Sequence, residues 1–354
     1  MVRIGSRAVG SGEPCFVTFE AGPTHSGLQS AMNLIDCAAT AKADAIKFQI
    51  VDPDRLVADR AQLFTYEVLV DRETGTLETV KEPLYNILRR RALTPAEWRA
   101  LKAHADSLGL AFFATVTFED ELDLVSSFDC HSVKIASADV SYHAFIRKAA
   151  RTGMCLQLDT GNASIGEIEA AVDICQEEGN ENIIIHHCPS GYPARLDGIN
   201  LRVIKTLKQM FPFAVGFSDH SPGWEMDVAA VAFGADLVEK TITEDRATRS
   251  VEHVMSLEPP EMSRFVTLMH GLHVAFGSPR RFLSTKDKQA RDAVRRSAFV
   301  TVDSAAGTPL SGLSVEFRRP GFGIGPEMFD RLSDMKLKAD LKAGHRLAVS
   351  DLIG

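Results

Sequence analysis

The sequence predicts an α/β protein, a (β/α)8 TIM barrel followed by a small β-rich domain, and three observations carry that prediction. Eight short apolar runs, each answered by a helical segment, recur over about 260 residues, which is the count and length of such a barrel. Polar and charged residues gather just past the C-terminal ends of those runs, where parallel α/β folds place their chemistry. Beyond Gly277 the texture changes: a polar, basic stretch gives way to short runs separated by Gly and Pro turns. An open doubly wound sheet is the competing arrangement of the same elements.

The first run, Cys15 to Ala21, ends at Glu20 and is followed by Gly22-Pro23-Thr24-His25. A helix from about Leu28 to Ala41 leads to the second run, Ala43 to Gln49, which carries Lys47. Residues 50–93 then form a polar segment too long for an ordinary connection, and we read it as a functional loop or lid. Thr94-Pro95-Ala96-Glu97 combines a capping Thr, Pro at the first helical position and Glu three residues after the cap, so a helix starts there. Trp98, Leu101, Ala105 and Leu108 repeat at helical spacing, and Gly109 stops it. The third and fourth runs, Leu110 to Val116 and Ser132 to Ser137, deliver Thr115, Lys134 and Ser137, with Asp139 just after. The fifth, Met154 to Asp159, precedes a second capping box, Ser164 to Glu167, whose helix ends at Gly179. The sixth, Asn182 to Cys188, is followed by Tyr192. The seventh and eighth, from Phe213 and from Ala235, end in Ser218-Asp219-His220 and Glu239-Lys240. A last barrel helix spans Pro259 to Phe276. The domain boundaries are therefore 1–280 for the barrel, 281–295 for a linker and 296–354 for the small domain.

Composition narrows the function classes. A net charge of −8 without a basic stripe argues against nucleic-acid binding. No apolar run approaches the roughly 18 residues of a membrane span, and the opening residues lack a signal peptide's apolar centre, so a cytoplasmic protein with no membrane partner is expected. Six cysteines lie without a paired C-x-x-C spacing, which favours buried reduced thiols.

Convergence at the strand ends points to chemistry. Lys47 and Lys134, with the hydroxyls of Thr115, Ser137 and Ser218, suit a phosphate or carboxylate, both anionic and rich in acceptors. His25, His187 and His220, with acidic neighbours such as Asp219 and Glu239, are of the type that holds a divalent metal. A small phosphorylated or carboxylated substrate follows from these residue types.

The ordered motifs Glu20-Ala-Gly-Pro-Thr-His25-Ser-Gly27, IKFQ, KIAS, HHCPSGYP, GFSDH, LVEK and SLEP resemble those of the sialic acid synthase family over nearly the whole chain. Residues 314–329 and 338–352 look like that family's small antifreeze-like (SAF) domain. The resemblance implies condensation of phosphoenolpyruvate with the open-chain aldehyde of an N-acetylated amino sugar, giving a nine-carbon 2-keto acid and phosphate for surface polysaccharide. It implies that Lys47, Thr115, Lys134, Ser137 and Ser218 hold phosphoenolpyruvate, and that Gln49, Asp139, Tyr192 and Glu252 face the sugar. Glu20 would act on a proton or orient water. His220 would ligate a divalent metal, Mn2+ or Mg2+. Arg319 would reach into a partner's barrel, which implies a domain-swapped homodimer.

Three departures stand out. Thr241 occupies the place of the family's second metal histidine, with His253 or Asp159 as replacement ligands. Asp159 stands where the family has Ser beside the phosphate, and a carboxylate there repels an anion. Thr24 replaces the Asn usual before His25. A Schiff-base aldolase using Lys134 or Lys47, or a barrel that has kept sugar binding without turnover, are the competing functions.

Overall fold

Eight parallel strands close the barrel in a computed structural model that describes residues 2–354. They are β1 (Phe16–Glu20), β2 (Ala45–Gln49), β3 (Ala111–Thr115), β4 (Ser132–Ile135), β5 (Cys155–Asp159), β6 (Ile183–His187), β7 (Ala214–Asp219) and β8 (Leu237–Thr241). β8 pairs back onto β1, with Thr241 opposite Glu20, so the sheet has no edge. The open-sheet alternative is excluded by that closure.

Alternation along each strand decides what goes where. Val17, Phe19, Ile46, Phe48, Leu156, Leu158, Val215 and Phe217 belong to the large core between barrel and helices. Phe16, Ala45, Phe113, Cys155, Ile184, Ala214 and Leu237 belong to a second cluster inside the barrel at its N-terminal end. An antiparallel pair, Val2–Ile4 with Arg7–Val9, adds Val2, Ile4 and Val9 to that cluster. The opening residues thus plug the floor of the barrel, each fully buried aliphatic contributing about 1.5–3 kcal/mol.

The helices begin where their caps predict. Thr94 and Glu97 form a reciprocal box at the start of Pro95–Ser107, and Ser164 and Glu167 do the same for Ile165–Glu177. Each such cap is worth about 1 kcal/mol.

Residues 50–93 correct the expectation of a loop. They hold the helices Pro53–Leu56 and Leu84–Arg89 and an antiparallel pair, Leu63–Asp71 with Thr76–Pro83. Tyr66 and Val68 are buried with Val80, Ile87 and Val251 in a satellite core, and Phe64 packs against it. Ion pairs from Arg72 to Glu258 at 2.7 Å and from Arg249 to Glu78 at 2.9 Å tie the hairpin to the segment after β8.

The chain divides into two compact units, one ending at Gly277 and the other running from Ser278 to Gly354. The segment expected as a linker carries the helix Thr285–Val294, capped by Ser284, with no buried residue. The second unit pairs Ser297–Val300 with Val315–Arg318 and Lys336–Leu337 with Leu352–Ile353 around Ala298, Val300, Leu310, Ile324 and Leu347. Among the described residues no helix is long and apolar enough to cross a membrane. All six cysteines are free; Cys37 is half-buried and the others are buried.

Candidate active site

Inside the barrel, polarity rises from floor to mouth. Above the apolar floor, Gln157 Nε2 donates to Ser132 Oγ at 2.8 Å, and its Oε1 meets His186 Nε2 at 2.8 Å. Gly216 makes room for that imidazole, since a Cβ there would stand 2.7 Å from His186 Nδ1. Burial, and then the Lys134 charge, push His186 down to about 3, so it is a neutral packing group.

At the mouth the inward positions become charged. Lys134 Nζ bonds both Glu239 oxygens at 2.9 and 2.8 Å, donates to Ser218 Oγ at 3.3 Å, and pairs with Asp159 at 3.0 Å. Lys47 Nζ pairs with Glu20, reaches Glu239 at 3.0 Å and donates to Thr115 Oγ1 at 3.3 Å. Ser218 Oγ in turn donates to Glu239 at 2.9 Å. Glu239 is therefore the hub between two buried ammonium groups, a role that its sequence position alone did not reveal.

Glu20 is folded back toward its own loop, with Gly22 N donating to Oε1 at 2.5 Å. A Cβ on Gly22 would lie 2.6 Å from that oxygen and 2.7 Å from Gln49 N, so only glycine permits the turn. Burial pushes Glu20 up, Lys47 pulls it down and the Glu239 charge pushes it up again; the outcome is raised. Burial also works against an ionised Glu239, but Lys134 and Lys47 outweigh it and hold its carboxyl well below the usual range. The lysines are opposed by burial too. Glu20 and Glu239 nevertheless raise Lys47, while Asp159 and Glu239 raise Lys134.

Not every charged residue at the strand ends belongs to this cluster. Asp219 and Lys240 follow Ser218 and Glu239 by one residue, and the pairs Ser218 with Glu239 and Asp219 with Lys240 are in register. By alternation the second pair points outward, where Lys240 binds Asp219, donates to Ser221 O at 2.5 Å and lies 3.6 Å from Asp227. His187 likewise faces out and binds Ile199 O at 2.6 Å. The expectation that all these groups share one chemical face is corrected: Asp219, Lys240 and His187 lock the wall.

Around the mouth, Ser137 Oγ accepts from Asn162 at 3.2 Å, and Asp139 is half-buried with its carboxyl pushed up by burial. The Tyr192 ring lies 4.6 Å from that of His220, and His220 Nδ1 meets Pro189 O at 3.2 Å. Burial lowers His220, leaving it neutral with Nε2 as its free nitrogen. Glu252 sits in a left-handed conformation at φ 66°. Burial, then the Glu20 charge, raise it to about 8. Arg91, which sequence reasoning passed over, is buried nearby, and its Nη1 donates to Gly22 O at 3.3 Å. Arg319 is exposed in the second unit.

The donor set does not fit a resident Mn2+ or Mg2+ ion. Among the described residues no three His, Cys, Asp or Glu side chains gather for one metal. Thr241 ends β8 with a hydroxyl. His253 Nδ1 is engaged with Thr243 Oγ1 at 2.7 Å, and burial and the Arg91 cation push its ring down to about 4. Asp159 keeps one buried oxygen, Oδ1, without a partner, but its other oxygen is taken by Lys134.

Comparison with known proteins agrees with this architecture. The chain is 30% identical, over all of its length and 99% of the relative's, to an uncharacterized protein of Methanocaldococcus jannaschii. It is 30% identical, over 97% of its length and 96% of the relative's, to the N,N'-diacetyllegionaminic acid synthase of Legionella pneumophila. The crystal structure of N-acetylneuraminic acid synthetase from Leptospira borgpetersenii superposes with a TM-score of 0.71 at 30% identity, covering 82% of this chain and 94% of that one. Residues 34–281 match the NeuB family, and the chain belongs to that family.

Proposed function

We propose that this protein condenses phosphoenolpyruvate with an N-acetylated amino sugar to form a nonulosonic, sialic-type acid and phosphate. The observation that carries the reading is the pair of buried lysines, Lys47 and Lys134, converging at the barrel mouth with Thr115 and Ser218 hydroxyls beside them. Two ammonium groups in a water-poor site suit a substrate with both phosphate and carboxylate. Ser137 extends the same donor set. C3 of the enol attacks the aldehyde carbon, water adds at C2, and phosphate leaves, so the product is a 2-keto acid lengthened by three carbons.

Glu20 is the group we assign to the proton. It is buried beside Lys47 at the barrel mouth, where it would act on a proton or orient water at the reacting carbons. Glu239 keeps both lysines charged and aimed. Gln49, Asp139, Tyr192 and Glu252 would line the sugar side, and His220, its ring tilted against that of Tyr192, would orient the reacting carbonyl. Arg319 would complete the sugar site of a partner subunit in a domain-swapped dimer, the second unit acting as an antifreeze-like domain, and the product would serve surface polysaccharide.

A Schiff-base aldolase is disfavoured, because an amine nucleophile needs a depressed pKa and both lysines are raised by carboxylates. The test is phosphate release from phosphoenolpyruvate, with and without manganese, against N-acetylmannosamine and 2,4-diacetamido-trideoxyhexoses. Sugar-dependent release supports the synthase. No release with any sugar, from folded protein, would leave only a binding role.

A further inference from the structure

A cavity of about 580 Å³ lies between the segment that follows Gln49, the start of the helix Pro95–Ser107 and the helix Glu119–Ser126. That volume is within the range of small-molecule sites. None of Glu20, Lys47, Lys134 and Glu239 lines it, so it is separate from the barrel mouth. It is nevertheless joined to the mouth through the chain: Ile50 and Val51 line the cavity directly after Gln49, and Ile50 N donates to Thr115 O at 3.0 Å. Leu93, Trp98 and Leu124 supply much of the remaining apolar wall.

Charges of both signs stand in the same wall, and some of them are spent. Arg55 Nη1 bonds both Asp120 oxygens at 2.8 and 2.7 Å, Asp123 pairs with Lys148 at 3.2 Å, and Asp52 caps the helix Pro53–Leu56. Others are not. No carboxylate oxygen of the described residues lies within 4.0 Å of Arg89 or Arg99. Arg99 holds only neutral oxygens, Ser127 Oγ at 2.9 Å and Pro95 O at 3.4 Å. Glu121 is buried, with 5% of its surface exposed. Its Oε2 accepts from Thr117 N at 2.7 Å and Phe118 N at 3.0 Å, whereas Oε1 is buried without a partner.

The leftover charges define a complement. Two guanidinium groups without a counter-ion call for a carboxylate, which they can grip through parallel N–H donors. A carboxylate oxygen without a donor calls for an N–H group, and an ammonium brings the matching charge as well. Glu121 is the third residue of its helix and Ser127, the partner of Arg99, follows the last one. Six residues at the α-helical rise put those two positions about 9 Å apart along the axis. The complement is therefore bipolar, with its charged ends farther apart than those of an α-amino acid and an apolar stretch between them.

We infer that this cavity binds a small zwitterion, its amine at Glu121 and its carboxylate at Arg99 and Arg89, of the class of an ω-amino acid or a dipeptide. The occupant would rest against Ile50 and Val51, the segment that leads directly out of the barrel mouth.

The test is calorimetric titration of the full chain with 6-aminohexanoate, hexanoate and hexylamine. The zwitterion is expected to bind at least tenfold more tightly than either single-ended probe, about 1.4 kcal/mol. Arg99→Gln should bring 6-aminohexanoate to within threefold of hexylamine, and Arg99→Lys, which keeps the cation, should retain part of the preference. Glu121→Gln, whose amide oxygen can keep the bonds from Thr117 and Phe118, should bring 6-aminohexanoate to within threefold of hexanoate. Equal binding of the zwitterion and either single-ended probe by the wild-type protein overturns the inference, and so does the absence of binding by all three. A full preference that survives in both Arg99→Gln and Glu121→Gln places the ligand elsewhere and overturns it too. No readout here involves phosphoenolpyruvate, so failure of this inference leaves the synthase reading standing.

Discussion

Glu239 and Lys240 are neighbours in the chain, and so are Ser218 and Asp219, yet they build two different networks. The inward pair joins Lys134 and Lys47 at the open mouth, where a substrate can displace carboxylates from ammonium groups. The outward pair closes on itself: Lys240 binds Asp219, Ser221 Oγ donates to Asp219 at 2.7 Å, and Asp227 lies 3.6 Å from Lys240 behind the wall. Both networks are buried and charged. What separates them is the two-residue period of a strand, which sends successive side chains to opposite faces. Residue type and burial therefore do not distinguish a site from a lock; direction does.

The largest expected effect follows from removing an inward cation. Lys134→Met should lower kcat/KM for phosphoenolpyruvate by about 10³-fold, as loss of a preorganised charge in a water-poor site does. The outward counterpart, Lys240→Met, should act on stability instead. Breaking a buried pair costs about 3–5 kcal/mol, read as a lower thermal midpoint with kcat/KM of the folded protein kept within about threefold. If Lys240→Met abolished turnover in protein shown to be folded, the division between the networks would fail.

A smaller effect is expected from charge balance inside the mouth. Lys47 and Lys134 face three carboxylates, Glu20, Glu239 and Asp159. Asp159→Ser removes one negative charge next to Lys134, and KM for phosphoenolpyruvate should fall by roughly tenfold, the fraction of a close charge-charge term that remains after screening. An unchanged KM would mean that Asp159 has turned from the phosphate.

The smallest effect concerns pH. Glu252 has a folded pKa of about 8 against an ordinary 4.5, so between those values the native protein holds more of the proton than the unfolded chain. Its contribution to stability is complete below about pH 4.5 and is lost as pH rises toward 8. Glu252→Gln should flatten that part of the stability curve. A wild-type slope identical to the variant's would remove Glu252 from the account.

Much of the barrel was legible because apolar runs, capping boxes and stop glycines are local signals. The eight runs coincide with the eight strands to within two residues, and Thr94 and Ser164 cap the helices expected of them. The hairpin within residues 50–93 was missed, although Phe64, Tyr66 and Val68 alternate. Leu69 and Val70 then break the alternation before Asp71, Arg72 and Glu73 lead into the turn, and the partner for the apolar face, Val251, comes from far along the chain. The N-terminal plug was missed for the same reason, since Val2, Ile4 and Val9 find their core only when the barrel closes. At the site, Lys47, Lys134, Thr115 and Ser218 were read from their strand-end positions and do converge. Arg91 carried no local signal. It lies among Arg89, Arg90 and Arg91, and only the tertiary structure distinguishes the buried one from exposed neighbours.

The measurement that tests the central claim most directly is calorimetric binding of phosphoenolpyruvate to the wild-type protein, Lys134→Met and Lys240→Met, each shown to be folded at the temperature used. The account predicts binding by wild type and Lys240→Met, with binding by Lys134→Met weakened at least a hundredfold. Equal binding by all three, or loss in Lys240→Met with retention in Lys134→Met, would contradict it.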